Sequence, residues 1–214
     1  DDFTDGLGEE GWFRDHVSDE AVYDKIISLF ETKEENDPFF TFAVTMQNHG
    51  GFTTAGFDYT VNIEGYENYT GIREYLTCIN NSDKALEKLI KYFENVEEET
   101  VIVFFGDHQP SFASELVKTY YPDKTTQEQR LIGSATPFII WTNYDSPSEE
   151  DIVVSPSILG AMVAQQAGFD LPALPNLIMY RIYPKISVAH EAGVVSRENG
   201  TIYDIDHLPE NLQT

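Results

Sequence analysis

An α/β fold, with a mostly parallel sheet flanked by helices, is what the sequence predicts, and three observations predict it. Continuous apolar, β-rich runs occur at residues 39–46, 100–105 and 137–142. Stretches with a helical apolar period lie between or after them, the pattern of strands alternating with helices. The chain of 214 residues is 41% hydrophobic and 13% aromatic, ample for a core and far from a disordered composition.

In chain order, residues 1–17 are acidic, Gly-containing and read as loop. Ser18 is the expected N-cap of a first helix, with Asp19 and Glu20 in its first turn and Val22, Ile26, Ile27 and Phe30 at helical spacing. Asn36-Asp37-Pro38 breaks that helix. Phe39–Met46 is then expected as a strand buried on both faces, ending in the polar turn Gln47-Asn48-His49-Gly50-Gly51. Residues 52–69 show no sustained period and read as an irregular excursion. A second helix is expected over 71–95, with an apolar stripe of Ile72, Leu76, Ile79, Leu86, Leu89, Ile90 and Phe93. Strands follow at Thr100–Phe105, which runs into Gly106-Asp107-His108-Gln109-Pro110, and at Pro137–Thr142. Helices are expected at 155–167 and 173–183. The tail, 193–214, offers a short hairpin around Asn199-Gly200.

Charge and cysteine content narrow the function classes. With 13 Lys+Arg against 37 Asp+Glu the formal net charge is −24, which excludes a nucleic-acid partner and direct docking on an anionic bilayer. The single cysteine, Cys78, leaves no internal disulfide and reads as a small buried hydrophobe in the second helix. No window reaches the roughly 18 apolar residues of a transmembrane helix, and the N-terminus has no signal-peptide pattern. The first residue is Asp rather than Met, so the sequence reads as part of a longer protein.

Several common motifs fail on chemistry. Gly6–Gly11 matches G-x-G-x-x-G, but it follows no apolar strand, and Asp5, Glu9 and Glu10 would repel a pyrophosphate. His190-Glu191 lacks the second histidine of a zinc protease helix, residues 1–12 lack EF-hand ligands, and no G-x-S-x-G elbow occurs. What remains is a pair of strand ends. Ligands of open α/β sheets bind beyond the carboxyl ends of strands, and two of the expected strands end in histidine-bearing turns, at His49 and at Asp107-His108. Asp with His is a divalent-metal ligand set suited to Mn²⁺, Zn²⁺ or Mg²⁺. The same two residues also suit a plain turn in which Asp caps the next helix. Both readings stand on the spacing alone.

Phe105-Gly106-Asp107-His108 after Thr-Val-Ile-Val, with Asn48-His49 placed 59 residues earlier (108 − 49), resembles the sulfatase-type domain of the lipoteichoic acid synthase family, in the alkaline phosphatase superfamily. The likeness extends through 11–30, 75–93, 136–142 and 155–171. It implies that Asp107 and His108 are ligands of one catalytic divalent cation, Mn²⁺ first, with Mg²⁺ or Zn²⁺ as alternatives. It implies that His49 contacts the phosphoryl group of a glycerophosphate, and it places Ser111 near a substrate-touching position. Trp12-Phe13-Arg14-Asp15 lies too close to His49 to match the family's substrate-binding Trp and Arg. The family's Thr nucleophile and acidic metal ligand belong upstream of the Asn-His turn, where this chain has no strand-then-Thr element. The whole of 1–214 is therefore expected to be the C-terminal portion of such a domain, inactive by itself. The full-length protein would be a phosphoglycerol transferase acting on a glycerophospholipid or anionic glycolipid, with this domain extracellular and the membrane reached only through helices outside this chain. A sulfatase or phosphodiesterase of the same superfamily, and a non-catalytic surface binding module, are the competing expectations.

Overall fold

The computed structural model describes residues 4, 7–65, 67 and 69–213. It divides into two units, Asp1–Glu97 and Glu98–Thr214.

In the first unit, part of the expected opening loop is ordered. A 3-10 turn, Glu9–Gly11, leads into a two-residue hairpin, β1 (Trp12–Phe13) and β2 (His16–Val17). The G-x-G-x-x-G match begins at Gly6, and residues 1–3 and 5–6 lie outside the described residues. Helix α1 (Asp19–Glu31) starts as predicted, with the Ser18 hydroxyl accepting from the Ala21 N–H at 3.1 Å. It packs on α2 (Thr70–Phe93), burying Val22, Tyr23 and Ile26 against Ala85, Leu86, Leu89 and Phe93. The Phe30 ring closes that contact edge-on to Phe93 at 5.1 Å.

The buried face of α2 differs from the expected stripe. Ile79 is exposed, whereas Glu74, Thr77, Cys78 and Ser82 are buried at i, i+3, i+4 and i+8, in line with Ala85, Leu86 and Leu89. The first half of the helix thus packs through polar side chains. Cys78 is free and buried as expected, and burial pushes its thiol pKa up, with Arg14 opposing.

The expected strand at 39–46 has no ladder partner among the described residues. Phe40 (90% exposed), Phe42, Val44 and Met46, every second residue, face solvent, although Phe39 still packs edge-on to Phe30 at 5.7 Å. The apolar pattern was that of a strand with neighbours on both edges. Where those neighbours are missing, backbone groups have nothing to pair with and the run stays irregular.

The second unit contains β3 (Val101–Phe105), α3 (Ala113–Tyr120), α4 (Thr126–Ser134), β4 (Phe138–Thr142), α5 (Pro156–Gln166) and α6 (Ala173–Leu177), the last continued by a π-helical turn at Ile178–Ile182. The class is α/β as expected, but the strand pairings among the described residues are all antiparallel, in place of the expected mostly parallel set. The cause lies in α3 and α4, which the sequence reading did not include. One helix carries a chain across a sheet to a parallel strand; two helices packed on each other return it to the end it left. Phe105 therefore pairs with Phe138, and Val101 with Thr142. The tail forms the expected hairpin, Gly193–Ser196 (β6) with Ile202–Tyr203 (β7), around Gly200 at φ +69°. An unforeseen strand, Ile186–His190 (β5), extends it to three. Ile186, Val194 and Leu212 form its core.

Unpaired backbone beside alternating exposed apolar side chains is an association hazard. The chain is expected to self-associate at micromolar concentration and to bind an apolar dye. F42K and V44K should each reduce both, measured by light scattering and dye fluorescence; unchanged scattering would place the sticky surface elsewhere.

Candidate functional site

The turn at residues 47–51 is held from two directions, both within the first unit. Arg14, at the tip of the β1–β2 hairpin, sits in the left-handed region at φ +58°, a conformation that costs a non-glycine residue of order 1 kcal/mol. From there Nη1 donates to the carbonyls of His49 (3.0 Å) and Gln47 (3.3 Å), and Nη2 to those of Gly51 (3.2 Å) and Gly50 (3.5 Å). Nε meets Glu74 Oε1 at 3.0 Å, with the two side chains 5% and 0% exposed. Glu74 also accepts from the Thr54 hydroxyl (2.6 Å) and the Thr54 N–H (3.0 Å). The buried charge pair is therefore surrounded by donors and acceptors that satisfy it.

The second hold is Asp19, 1% exposed. Its Oδ2 accepts from the Ser82 hydroxyl, and its N–H donates to Gln47 Oε1 at 3.0 Å. Ser82 Oγ in turn accepts from Gln47 Nε2 (3.1 Å) and Asn48 Nδ2 (2.8 Å). Burial raises the Asp19 pKa above its ordinary 3.8, with hydrogen bonds from Ser82 and Thr45 opposing. Its Oδ1, buried with no hydrogen-bond donor, explains why burial wins. With its backbone fixed in this way, the His49 side chain stands exposed at the surface.

In the second unit, the turn after β3 is fastened to the residues leading into β4. Gly106 N–H donates to Pro137 O (3.1 Å), Thr136 Oγ1 donates to Gly106 O (2.8 Å), and Gln109 Nε2 donates to Ala135 O. A Cβ on Gly106 would lie 3.0 Å from Thr136 Cβ, so any larger residue here would have to push Thr136 back by a few tenths of an ångström. Asp107 Oδ1 accepts from the His108 N–H at 2.8 Å, while Oδ2 lies 3.4 Å from His108 Nε2. His108 Nδ1 faces Gln109 O at 3.0 Å. Asp107 does not cap the next helix: the N-cap of α3 is Phe112, without a side-chain cap. Ser111 is exposed just before that helix. Asp107 and His108 are thus brought together, and His49 belongs to the other unit.

The Asp-His pair fits a divalent cation. An Nδ1–H donated to the Gln109 carbonyl leaves the Nε2 lone pair outward, the tautomer that metal-bound histidines adopt. Two ligands each about 2.1 Å from one ion lie about 3.4 Å apart at a tetrahedral angle. Among the described residues no third His, Cys, Asp or Glu joins them.

Arg14, Glu74, Asp19 and Ser82 were not foreseen as a support for this turn. The signal was present in the polar residues at helical spacing on α2, which an apolar-stripe search passes over.

The family model for sulfatases matches residues 2–169, and the chain belongs to that family. Among solved structures, its fold matches the Streptococcus pyogenes phosphoglycerol transferase GacH in complex with sn-glycerol-1-phosphate. The TM-score is 0.65 at 22% identity, over 88% of this chain and 46% of that one. The expected sulfatase-type domain is thereby borne out. Two curated relatives come from Rhizobium meliloti (strain 1021). A putative cyclic beta-1,2-glucan modification protein is 30% identical over 73% of this chain and 26% of its own length. The capsular polysaccharide biosynthesis protein RkpI is 27% identical over 52% of this chain and 19% of its own length. The chain thus spans about a quarter or less of these relatives.

Breaking the buried pair from one side leaves an uncompensated charge, so R14A and E74A are each expected to cost about 3–5 kcal/mol in urea unfolding, and R14M/E74L distinctly less than their sum. A loss below about 1 kcal/mol for R14A would show the clamp to be dispensable. The raised Asp19 pKa means that the folded chain keeps a proton the unfolded chain has released. Its stabilising contribution is full below the ordinary carboxylate range and falls as pH rises through the folded-state pKa. Urea midpoints measured upward from about pH 4 should show that decline, and D19N should flatten it. Parallel curves for the two proteins would mean that Asp19 ionises normally.

Proposed function

We propose that this domain is part of a metal-dependent phosphoglycerol transferase. The observation that carries the reading is the Asp107-His108 pair, held with Oδ2 and Nε2 3.4 Å apart on a fold shared with a phosphoglycerol transferase. A bound divalent cation, Mn²⁺ foremost, would be held by Asp107 and His108 and would offset charge on phosphoryl oxygens. His49 offers an imidazole N–H to a phosphoryl oxygen, and the Arg14 clamp fixes the backbone that carries it. Ser111 offers a hydroxyl near the Asp-His turn. The attacking nucleophile is assigned to a residue outside these, a Thr by the family resemblance.

The donor is read as a glycerophospholipid head group, used on the outer side of the cytoplasmic membrane. Contact with lipid is assigned, by the family resemblance, to helices outside this chain; among the described residues no helix is long and apolar enough to cross a membrane. The names of the two curated relatives support a polysaccharide as acceptor. The sulfatase family match favours a second reading, hydrolysis of a sulfate ester, which uses the same tetrahedral oxyanion recognition.

The chain alone, with Mn²⁺ added, is expected to release no diacylglycerol from phosphatidylglycerol and no sulfate from an aryl sulfate; rapid turnover of either would show that its own residues suffice. Mn²⁺ binding followed by electron paramagnetic resonance should be detectable in the wild-type chain and drop at least about tenfold in D107N and in H108A. Equal binding by all three would remove the metal assignment.

A further inference from the structure

His16 and His49 form an unassigned pair of imidazoles. Their ring centroids are 6.0 Å apart and their planes meet at 71°. His16 comes from β2, in register with Phe13, and is half-buried; His49 comes from the turn that Arg14 clamps and is exposed. Arg14 lies two residues before His16 in the same hairpin, so the element that grips the turn also brings the second ring to it. Among the described residues neither ring has a hydrogen bond to protein.

The chemistry of such a pair separates two ligands. A metal ion held here would meet two imidazoles and no carboxylate among the described residues, unlike the Asp107-His108 pair, which sets an anionic oxygen beside an imidazole. A tetrahedral oxyanion needs only donors. Each imidazole supplies at least one N–H, so one oxyanion can accept from both rings of the pair. Arg14 cannot serve in their place, since its guanidinium is committed to four carbonyls and Glu74. On a chain of formal charge −24, an anion is retained by directional donors rather than by the overall field.

We infer that His16 is a second phosphoryl contact, acting with His49 on the phosphate of a glycerophosphate. This rests on the assignment of His49 to the phosphoryl group and adds a residue to that site. The test is a titration of the whole chain with sn-glycerol-1-phosphate, followed by NMR of the histidine ring protons, of which the five histidines give a small set. The His16 and His49 resonances should shift together along one binding curve, with His190 and His207 unmoved. H16A should weaken binding at least about tenfold, the loss of one hydrogen bond to a charged group. H16Q, which keeps an N–H donor, should recover much of it, and its amide spectrum reports whether the hairpin is intact. If His49 shifts while His16 does not, or if H16A binds within twofold of wild type, the pair is wrong and the His49 assignment survives. If neither ring shifts, both assignments fall.

Discussion

The first unit depends on one buried ion pair, Arg14 with Glu74. A fully buried charged carboxylate is costly unless its lone pairs are answered, and here the answers are a guanidinium and the hydroxyl and N–H of Thr54. The guanidinium has five donors and spends the rest on the carbonyls of residues 47–51. A glycine-containing turn with few side chains to pack is thereby given a defined path. The strain of Arg14 at positive φ is the local cost of aiming that fork, and the contacts it makes exceed it.

The second hold, through Asp19, Ser82, Gln47 and Asn48, works by a different balance. It ties the start of α1, the middle of α2 and the same turn into one network, yet leaves two buried oxygens, Asp19 Oδ1 and Asn48 Oδ1, without partners. A polar network of this kind specifies a single arrangement at some expense of stability. The two holds together explain why the exposed ring of His49 has a fixed base, and why the polar half of α2 is buried while its apolar Ile79 is not.

Local signals in the sequence were strong where side chains decide structure through their immediate neighbours. Ser18 as a cap and the turn at Asn199-Gly200 are of that kind, and helix α1 and the β6–β7 hairpin that they bound appear as expected. Pairing was harder to read. The run 39–46 spells out a two-sided apolar environment but says nothing about which strands supply it. The direction of β4 relative to β3 was lost with the two helices between them, whose short lengths and mixed composition give weak periodicity. At the candidate site, Asp107 and His108 were legible because a strand-to-turn transition marks them. Arg14, Glu74 and Ser82 were not, because their partners lie 30 to 60 residues away and the chemistry is shared between charge, backbone and burial.

The paired helices between β3 and β4 begin and end at one rim, where Gly106 meets Thr136 and Pro137. The Asp-His turn is fastened at that rim and takes nothing from the far end of α3 and α4. Length added at the tip between those helices, around Pro122-Asp123, would lengthen an excursion whose two feet stay where they are. That projection can therefore change in length without altering the spacing of Asp107 and His108, so that a tolerant excursion and a fastened turn share one stretch of about thirty residues.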